Sequence, residues 1–222
     1  MTALSLRIAD GLAEIALDDG KANALSRGMI EALLDALDQA ARADVAVLLH
    51  GRPGMFSGGY DRKLIDAGGP ERDAMREAGD RLTVAMLDFP APLVIASTGH
   101  AMAKAAFLLL LADYRLGAAG PFKIGLNEVA IGMTMPEVAM HLARERLPTA
   151  WLSRCALQAE LLDPAQAMDA GFLDELCPPD HLLERARSKV KALAALDRQA
   201  YRETRRLLNA PLRGAIGQSL GY

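Results

Sequence analysis

The chain has 222 residues, 25 Lys plus Arg against 28 Asp plus Glu, a formal net charge of −3, 51% hydrophobic and 24% charged residues. That balance excludes a disordered or fibrous chain and argues against a dedicated nucleic-acid binder, which needs a basic surface. Two cysteines, Cys155 and Cys177, are too few for a disulfide framework, so one large domain in a reducing, cytoplasmic setting is expected.

From Met1 to Asp10 the chain places Arg7 and Asp10 where a signal peptide needs its apolar core. Leu4, Leu6 and Ile8 alternate with polar residues, and Ile15 and Leu17 do the same after Asp10-Gly11, which predicts a hairpin. A loop through Lys21-Ala22-Asn23 leads to Ser26, a good N-cap. From there Ile30, Leu33, Leu34 and Leu37 predict an amphipathic helix to about Ala41. Val45 to Leu49 reads as a short apolar strand. The stretch Gly51 to Asp61, with four glycines and a proline, reads as loop. A charged helix is predicted from about Glu71 to Asp88, with Met75, Leu82, Met86 and Leu87 available for burial. A second strand follows at Leu93 to Ala96, then the turn Ser97-Thr98-Gly99 and an apolar helix from Ala101 to Ala112. Its run Ala105 to Ala112 is far short of the ~20 residues of a membrane span, so it is expected to be a buried helix. Tyr114 to Leu116 is a third strand. The remainder reads as helices near 136–146, 149–156, 164–170, 179–195 and 198–208, several with proline at their starts. Strand and helix alternating, then helices alone, predict an α/β architecture with parallel crossovers and a helical C-terminal region.

Two glycine-containing turns, Met55 to Asp61 and Thr98-Gly99-His100, each follow a predicted strand. Strand ends of parallel sheets are where ligands bind, and free amides at a loop and at a helix N-terminus favour an anion. Side by side, two such amides would polarise one carbonyl oxygen; the alternative is that the glycines merely permit tight turns. No P-loop, dinucleotide fingerprint, nucleophile elbow or HExxH run is present, and His50, His100 and His181 are isolated, so no metal site is expected. Glu128 stands in the apolar stretch Ile124 to Met133. A carboxylate in such surroundings has a raised pKa, as a general base working near neutrality needs; the alternative is an exposed acid or an arginine's partner. Between Arg185 and Arg213 nine Lys or Arg face Asp197 and Glu203, either as a solvated basic face or as a contact for phosphates or a partner.

In order along the chain, Lys21-Ala22-Asn23-Ala24-Leu25, Phe56-Ser57-Gly58-Gly59-Tyr60-Asp61, Pro92-Leu93-Val94-Ile95-Ala96 with Gly99-His100-Ala101, Asp113-Tyr114-Arg115, Phe122 through Gly132, and Ala165 to Leu176 resemble the enoyl-CoA hydratase/isomerase (crotonase) superfamily. The resemblance covers roughly Leu6 to Pro179. It implies a crotonase-like spiral of ββα turns over 1–179 and a helical oligomerisation region, shortened, over 180–222. It further implies an acyl-CoA substrate, no cofactor beyond the coenzyme A carried by the substrate, and a homotrimer or dimer of trimers; on charge and on the shortness of the apolar runs, no nucleic-acid or membrane partner is expected.

The family's two oxyanion amides map to Tyr60 and Lys104, and its base to Glu128. Its CoA-binding stretches map to Lys21, Ala22, Tyr60, Asp61, Arg62, Lys63 and Lys104. Two departures stand out: Ala103-Lys104-Ala105 replaces a run of three glycines, and Phe107 occupies the position of the hydratases' first glutamate. With one carboxylate left, the resemblance implies double-bond isomerisation ahead of hydration, with a non-catalytic acyl-CoA-binding or scaffold protein as the rival from another class. The chain's end at Tyr222 is expected to shorten the family's final helices.

Overall fold

The computed structural model describes residues 3–221; Met1, where the signal-peptide reading begins, and the chain end at Tyr222 lie outside them. The opening hairpin forms as the alternation predicts, with β1 (Leu4–Ala9) antiparallel to β2 (Leu12–Leu17). Helix α1 (Arg27–Arg42) is capped by the Ser26 side chain, which accepts from the Met29 amide, and buries Ile30, Leu33 and Leu37 along one stripe.

Three strand pairs then follow one rule: the first strand of each joins a large sheet and the second a small one. They are β3 (Ala46–His50) with β4 (Gly54–Ser57), β5 (Leu93–Ser97) with β6 (Gly99–Met102), and β7 (Tyr114–Ala118) with β8 (Ile124–Gly125). The large sheet runs β1-β2-β3-β5-β7-β9, where β9 is Glu175–Cys177, and is parallel from β2 onward; the small one runs β4-β6-β8, all parallel. Helices α2 (Arg62–Ala67) and α3 (Gly69–Leu87) close the first of these turns and α4 (Lys104–Leu111) the second. This is the expected spiral of ββα turns. A helical region follows: α5 (Glu137–Arg146), α6 (Thr149–Leu152) running into a π-helical turn at Ser153–Leu157, α7 (Pro164–Asp169), α8 (Pro179–Ala194) and α9 (Arg198–Leu220). Among the described residues no helix is long and apolar enough to cross a membrane.

The sequence reading does not include α2, β8 or β9, and the structure corrects it elsewhere as well. The stretch read as loop from Gly51 to Asp61 contains β4. Glycine serves close main-chain packing at both ends of that turn: a Cβ at Gly51 would sit 2.2 Å from the Met55 carbonyl oxygen, and one at Gly99 of β6 2.0 Å from the Gly54 carbonyl carbon. The apolar helix begins at Lys104 rather than Ala101, because Gly99–Met102 is spent on β6 and the chain turns at Ala103, φ 51°. The last helix does not stop at Leu208 but continues past Pro211 to Leu220. Proline there removes one donor to the turn of Leu207 and Leu208; both residues stand exposed, where water can satisfy the carbonyl.

Candidate active site

The segment around Asn23 is the clamp on which the site is built. Asn23 is fully buried with φ 49°; its side-chain Nδ2 donates to the carbonyls of Leu17 and Phe56, both at 3.0 Å. The Ser57 hydroxyl donates to the Asn23 carbonyl (2.7 Å) and accepts from the Gly59 amide (3.1 Å). Gly58 N–H donates to Ala22 and Leu25 N–H to Gly59, each at 2.8 Å. These bonds fix the main chain on both sides of Gly58-Gly59 and so orient the amide of Tyr60.

The two glycine turns meet here. Gly59 has φ +84°, and a Cβ on it would lie 2.7 Å from the Met102 carbonyl oxygen and 3.2 Å from the Lys104 amide nitrogen. The main chain at 59–60 therefore lies against the start of α4. Lys104 is the first residue of that helix, so its N–H has no intrahelical acceptor and sits at the positive end of the helix dipole. Among the described residues neither the Tyr60 nor the Lys104 amide donates to a protein acceptor.

Beside these amides opens a cavity of about 290 Å³, lined by Tyr60, Asp80, Thr83, Lys104, Phe107 and Glu128, with Leu142 of α5 and Leu220 of α9 completing the wall. Glu128 is 6% exposed. Its own carbonyl accepts from Ile131 (3.1 Å) and Met133 (2.9 Å), holding it at the start of a 3-10 turn (Val129–Ile131), and its buried Oε2 has no partner. Burial pushes this carboxyl above its ordinary range, and the nearby Lys104 charge opposes the rise. Phe107 is apolar and nearly buried on the wall, where no proton can be exchanged.

Lys104 is 7% exposed. Its Nζ donates to Thr83 Oγ1 at 2.7 Å and lies 5.8 Å from the centre of the Tyr60 ring; the Thr83 hydroxyl in turn donates to the Gly79 carbonyl at 3.0 Å. Burial brings the ammonium's pKa down to about 8, against the pull of Asp80 and Glu128. Asp80 is itself pushed up by burial, with Lys104 and Arg76 opposing.

Tyr60, Lys104 and Glu128 thus line one cavity. Of the remaining expected site residues none lines it. Lys21 and Ala22 are exposed on the clamp, the Lys21 carbonyl accepting from Arg52 Nε at 2.8 Å. Asp61 caps α2 by accepting from Lys63 N–H (2.9 Å), Arg62 pairs with Asp66 (2.7 Å), and the Lys63 side chain is exposed. Sequence reasoning missed Asp80, Thr83 and Arg76, which sit together on one face of α3, because a charged helix reads as solvated. The signal was Gly79 in mid-helix, an unfavourable residue there without a packing reason. The reason is Tyr60, whose hydroxyl oxygen would lie 1.9 Å from a Cβ at that position.

Residues 7–220 match the family model described as enoyl-CoA hydratase/isomerase. An enoyl-CoA hydratase/isomerase family protein from Pseudomonas syringae superposes with a TM-score of 0.95 at 40% identity, over 98% of this chain and 94% of that one. An enoyl-CoA isomerase of Mycobacterium tuberculosis superposes at 0.93 with 36% identity, over 98% and 95%. A probable enoyl-CoA hydratase of Bacillus subtilis is 30% identical over 78% of this chain and 68% of its own length.

Proposed function

The chain belongs to the enoyl-CoA hydratase/isomerase family, and we propose that within it the protein moves the double bond of an enoyl-CoA through a thioester enolate. Glu128 takes the proton from C2 of a 3-enoyl thioester. The C–H electron pair moves into the conjugated system, and negative charge develops on the thioester oxygen between the N–H groups of Tyr60 and Lys104. The same carboxyl, now protonated, gives its proton to C4, and the product is the 2-enoyl thioester. No cofactor is needed beyond the coenzyme A in the substrate, for which Lys21, Ala22, Asp61, Arg62 and Lys63 offer the adjoining surface. A homotrimer, or a dimer of trimers, is part of this reading, with the exposed Leu207 and Leu208 of α9 as apolar surface for a subunit contact.

One observation carries the reading: Glu128 is buried on the cavity wall with an unpartnered oxygen, while Phe107 stands on that wall where the resemblance would put the hydratases' first glutamate. Hydration of a 2-enoyl-CoA is the second reading, and the observation favouring it is Asp80, a carboxylate in the same cavity. Turnover of 3-enoyl-CoA by wild type and Glu128→Gln tests the proposal. A fall of at least about a hundredfold is expected in the variant, with acyl-CoA affinity retained, since general-base catalysis contributes roughly that much. Wild-type turnover in Glu128→Gln overturns it. Incorporation of labelled water into a 3-hydroxyacyl product would establish hydration instead, and acyl-CoA binding without either reaction would leave a binding protein.

A further inference from the structure

The isomerisation needs only the main chain of Lys104. A glycine or alanine would present the same N–H without burying a charge, yet the chain carries an ammonium into the cavity. Burying a cation is unfavourable unless it is paired. Among the described residues Lys104 Nζ has one hydrogen-bond partner, the neutral Thr83 hydroxyl, and forms no ion pair. The groups around it are Asp80 and Arg76 from α3, Glu128 from its turn, Tyr60 from the loop after β4, and Glu137 of α5 on the cavity lining. Asp80 and Glu128 are close enough to favour its charge without being bonded to it.

Resting on the enolate reading above, we propose that Lys104 acts twice: its amide donates to the thioester oxygen, and its side-chain ammonium, tethered by Thr83 between Asp80 and Glu128, is the counter-charge for the reaction. Before proton transfer the negative charge is on Glu128. When C2 gives its proton to that carboxylate, Glu128 becomes neutral and the charge appears on the thioester oxygen. In this reading that oxygen is held at Lys104's own N–H, in the cavity that the same side chain lines. The negative charge moves without leaving the ammonium's neighbourhood, so the site is organised for both ends of the step in a medium where water screens little. The charge serves a second end, favouring the ionised form of Glu128, which the base must have. Thr83 is a positioning residue, acting through Lys104.

The test is the pH dependence of kcat/KM for wild type, Lys104→Met, Lys104→Arg and Thr83→Val, with Glu128→Gln as reference. In wild type the acid limb reports Glu128 and the alkaline limb, near pH 8, reports loss of the Lys104 proton. Lys104→Met is expected to lower kcat about tenfold or more, to lose the alkaline limb, and to move the acid limb to higher pH because Glu128 has lost a favourable cation. Lys104→Arg restores part of the rate and keeps activity above pH 8, since guanidinium stays protonated there. Should Lys104→Met not fold, Thr83→Val carries the test: loss of the hydrogen bond to the charged form moves the alkaline limb to lower pH. A Lys104→Met enzyme with both limbs unmoved, or with wild-type rate, overturns the inference, as does an unmoved alkaline limb in Thr83→Val. If Glu128→Gln retains turnover, the enolate reading itself fails; if it is inactive while the lysine variants keep both limbs, only the inference about the ammonium fails.

Discussion

Lys104 weakens the fold at neutral pH. Its pKa falls from 10.5 to about 8 on folding because burial disfavours the ammonium. The folded pKa lies below the unfolded one, so the stability this residue withholds is missing below about pH 8 and is regained as pH rises through 10.5, above which the lysine is neutral in both states. A shift of that size corresponds to about 3 kcal/mol, less about 1 kcal/mol for the hydrogen bond to Thr83. Lys104→Met is therefore expected to be about 2 kcal/mol more stable than wild type at pH 7 in denaturant unfolding, an advantage that disappears as pH rises from 8 toward 10.5. Its neighbour Ala103 has φ 51° and ψ −126°, a conformation that suits glycine. Relief of that strain outweighs the added freedom of an unfolded glycine, so Ala103→Gly should gain up to about 1 kcal/mol in the same measurement. At this scale the sequence was informative where a residue contradicted its surroundings. Glu128 stood out as a carboxylate in an apolar stretch. Lys104 was identified only as a main-chain donor, because nothing in Ala103-Lys104-Ala105 says that the side chain turns inward to Thr83, 21 residues away.

Helix α3 shows how one element serves two masters. Met75, Ala78, Leu82 and Met86 are buried in the core, while Arg76, Asp80 and Thr83 line the cavity. Its C-terminal end is held by α9. Arg205, 6% exposed, donates to the carbonyls of Met86 (2.9 Å), Leu87 (2.6 Å) and Phe89 (2.9 Å) and pairs with Asp113 at 2.7 Å. Asp113 Oδ2 meanwhile accepts from the Leu93 amide at 2.8 Å, at the start of β5. Removing the arginine takes the side-chain donor from the Met86 and Phe89 carbonyls, leaves Leu87 with only Asn209 Nδ2 at 3.3 Å, and leaves the partly buried Asp113 carboxylate without its cation. Arg205→Met should cost about 3–5 kcal/mol, seen as a lowered midpoint of chemical unfolding, and Arg205→Lys most of that, since ammonium cannot span the four acceptors. The basic C-terminal stretch reads from the sequence as a solvated face or as a contact for phosphates or a partner; Arg198, Arg202 and Arg206 do pair at the surface, with Asp44 and Glu203, but Arg205 is a core residue. Helical spacing puts these arginines near one face and cannot say which of them is covered by α3. The long helices and the five-residue central strands were legible from periodicity. The strands β4, β6 and β8 were not, being four residues or fewer and rich in glycine, which suits a turn equally well.

Across the whole molecule the spiral brings residues 22–25, 57–60, 80–83, 104–107 and 128 to one end of the small sheet, although no two of these groups are adjacent in sequence. Spacing along the chain could not reveal that convergence; it was the order of motifs, taken together as a family resemblance, that anticipated it. The cavity wall closes only with α5 and α9, whose Ser219 hydroxyl lies 3.1 Å from His141 Nε2. The core beneath is built from the helices and from the inner faces of β2, β3 and β5, and a second apolar layer, with Leu48, Val94 and Leu116, is covered by Leu182, Ala186 and Val190 of α8. The large sheet is thus sandwiched, which is why its parallel strands read as continuous apolar runs.

The two proposed oxyanion donors belong to the main chain, clamped by Asn23 and Ser57 on one side and by the first turn of α4 on the other. Inheritance can therefore rewrite the side chains at 60 and 104 without erasing the donors. Single substitutions at 60 and 104 can reshape the cavity wall while the proposed donors stay in place.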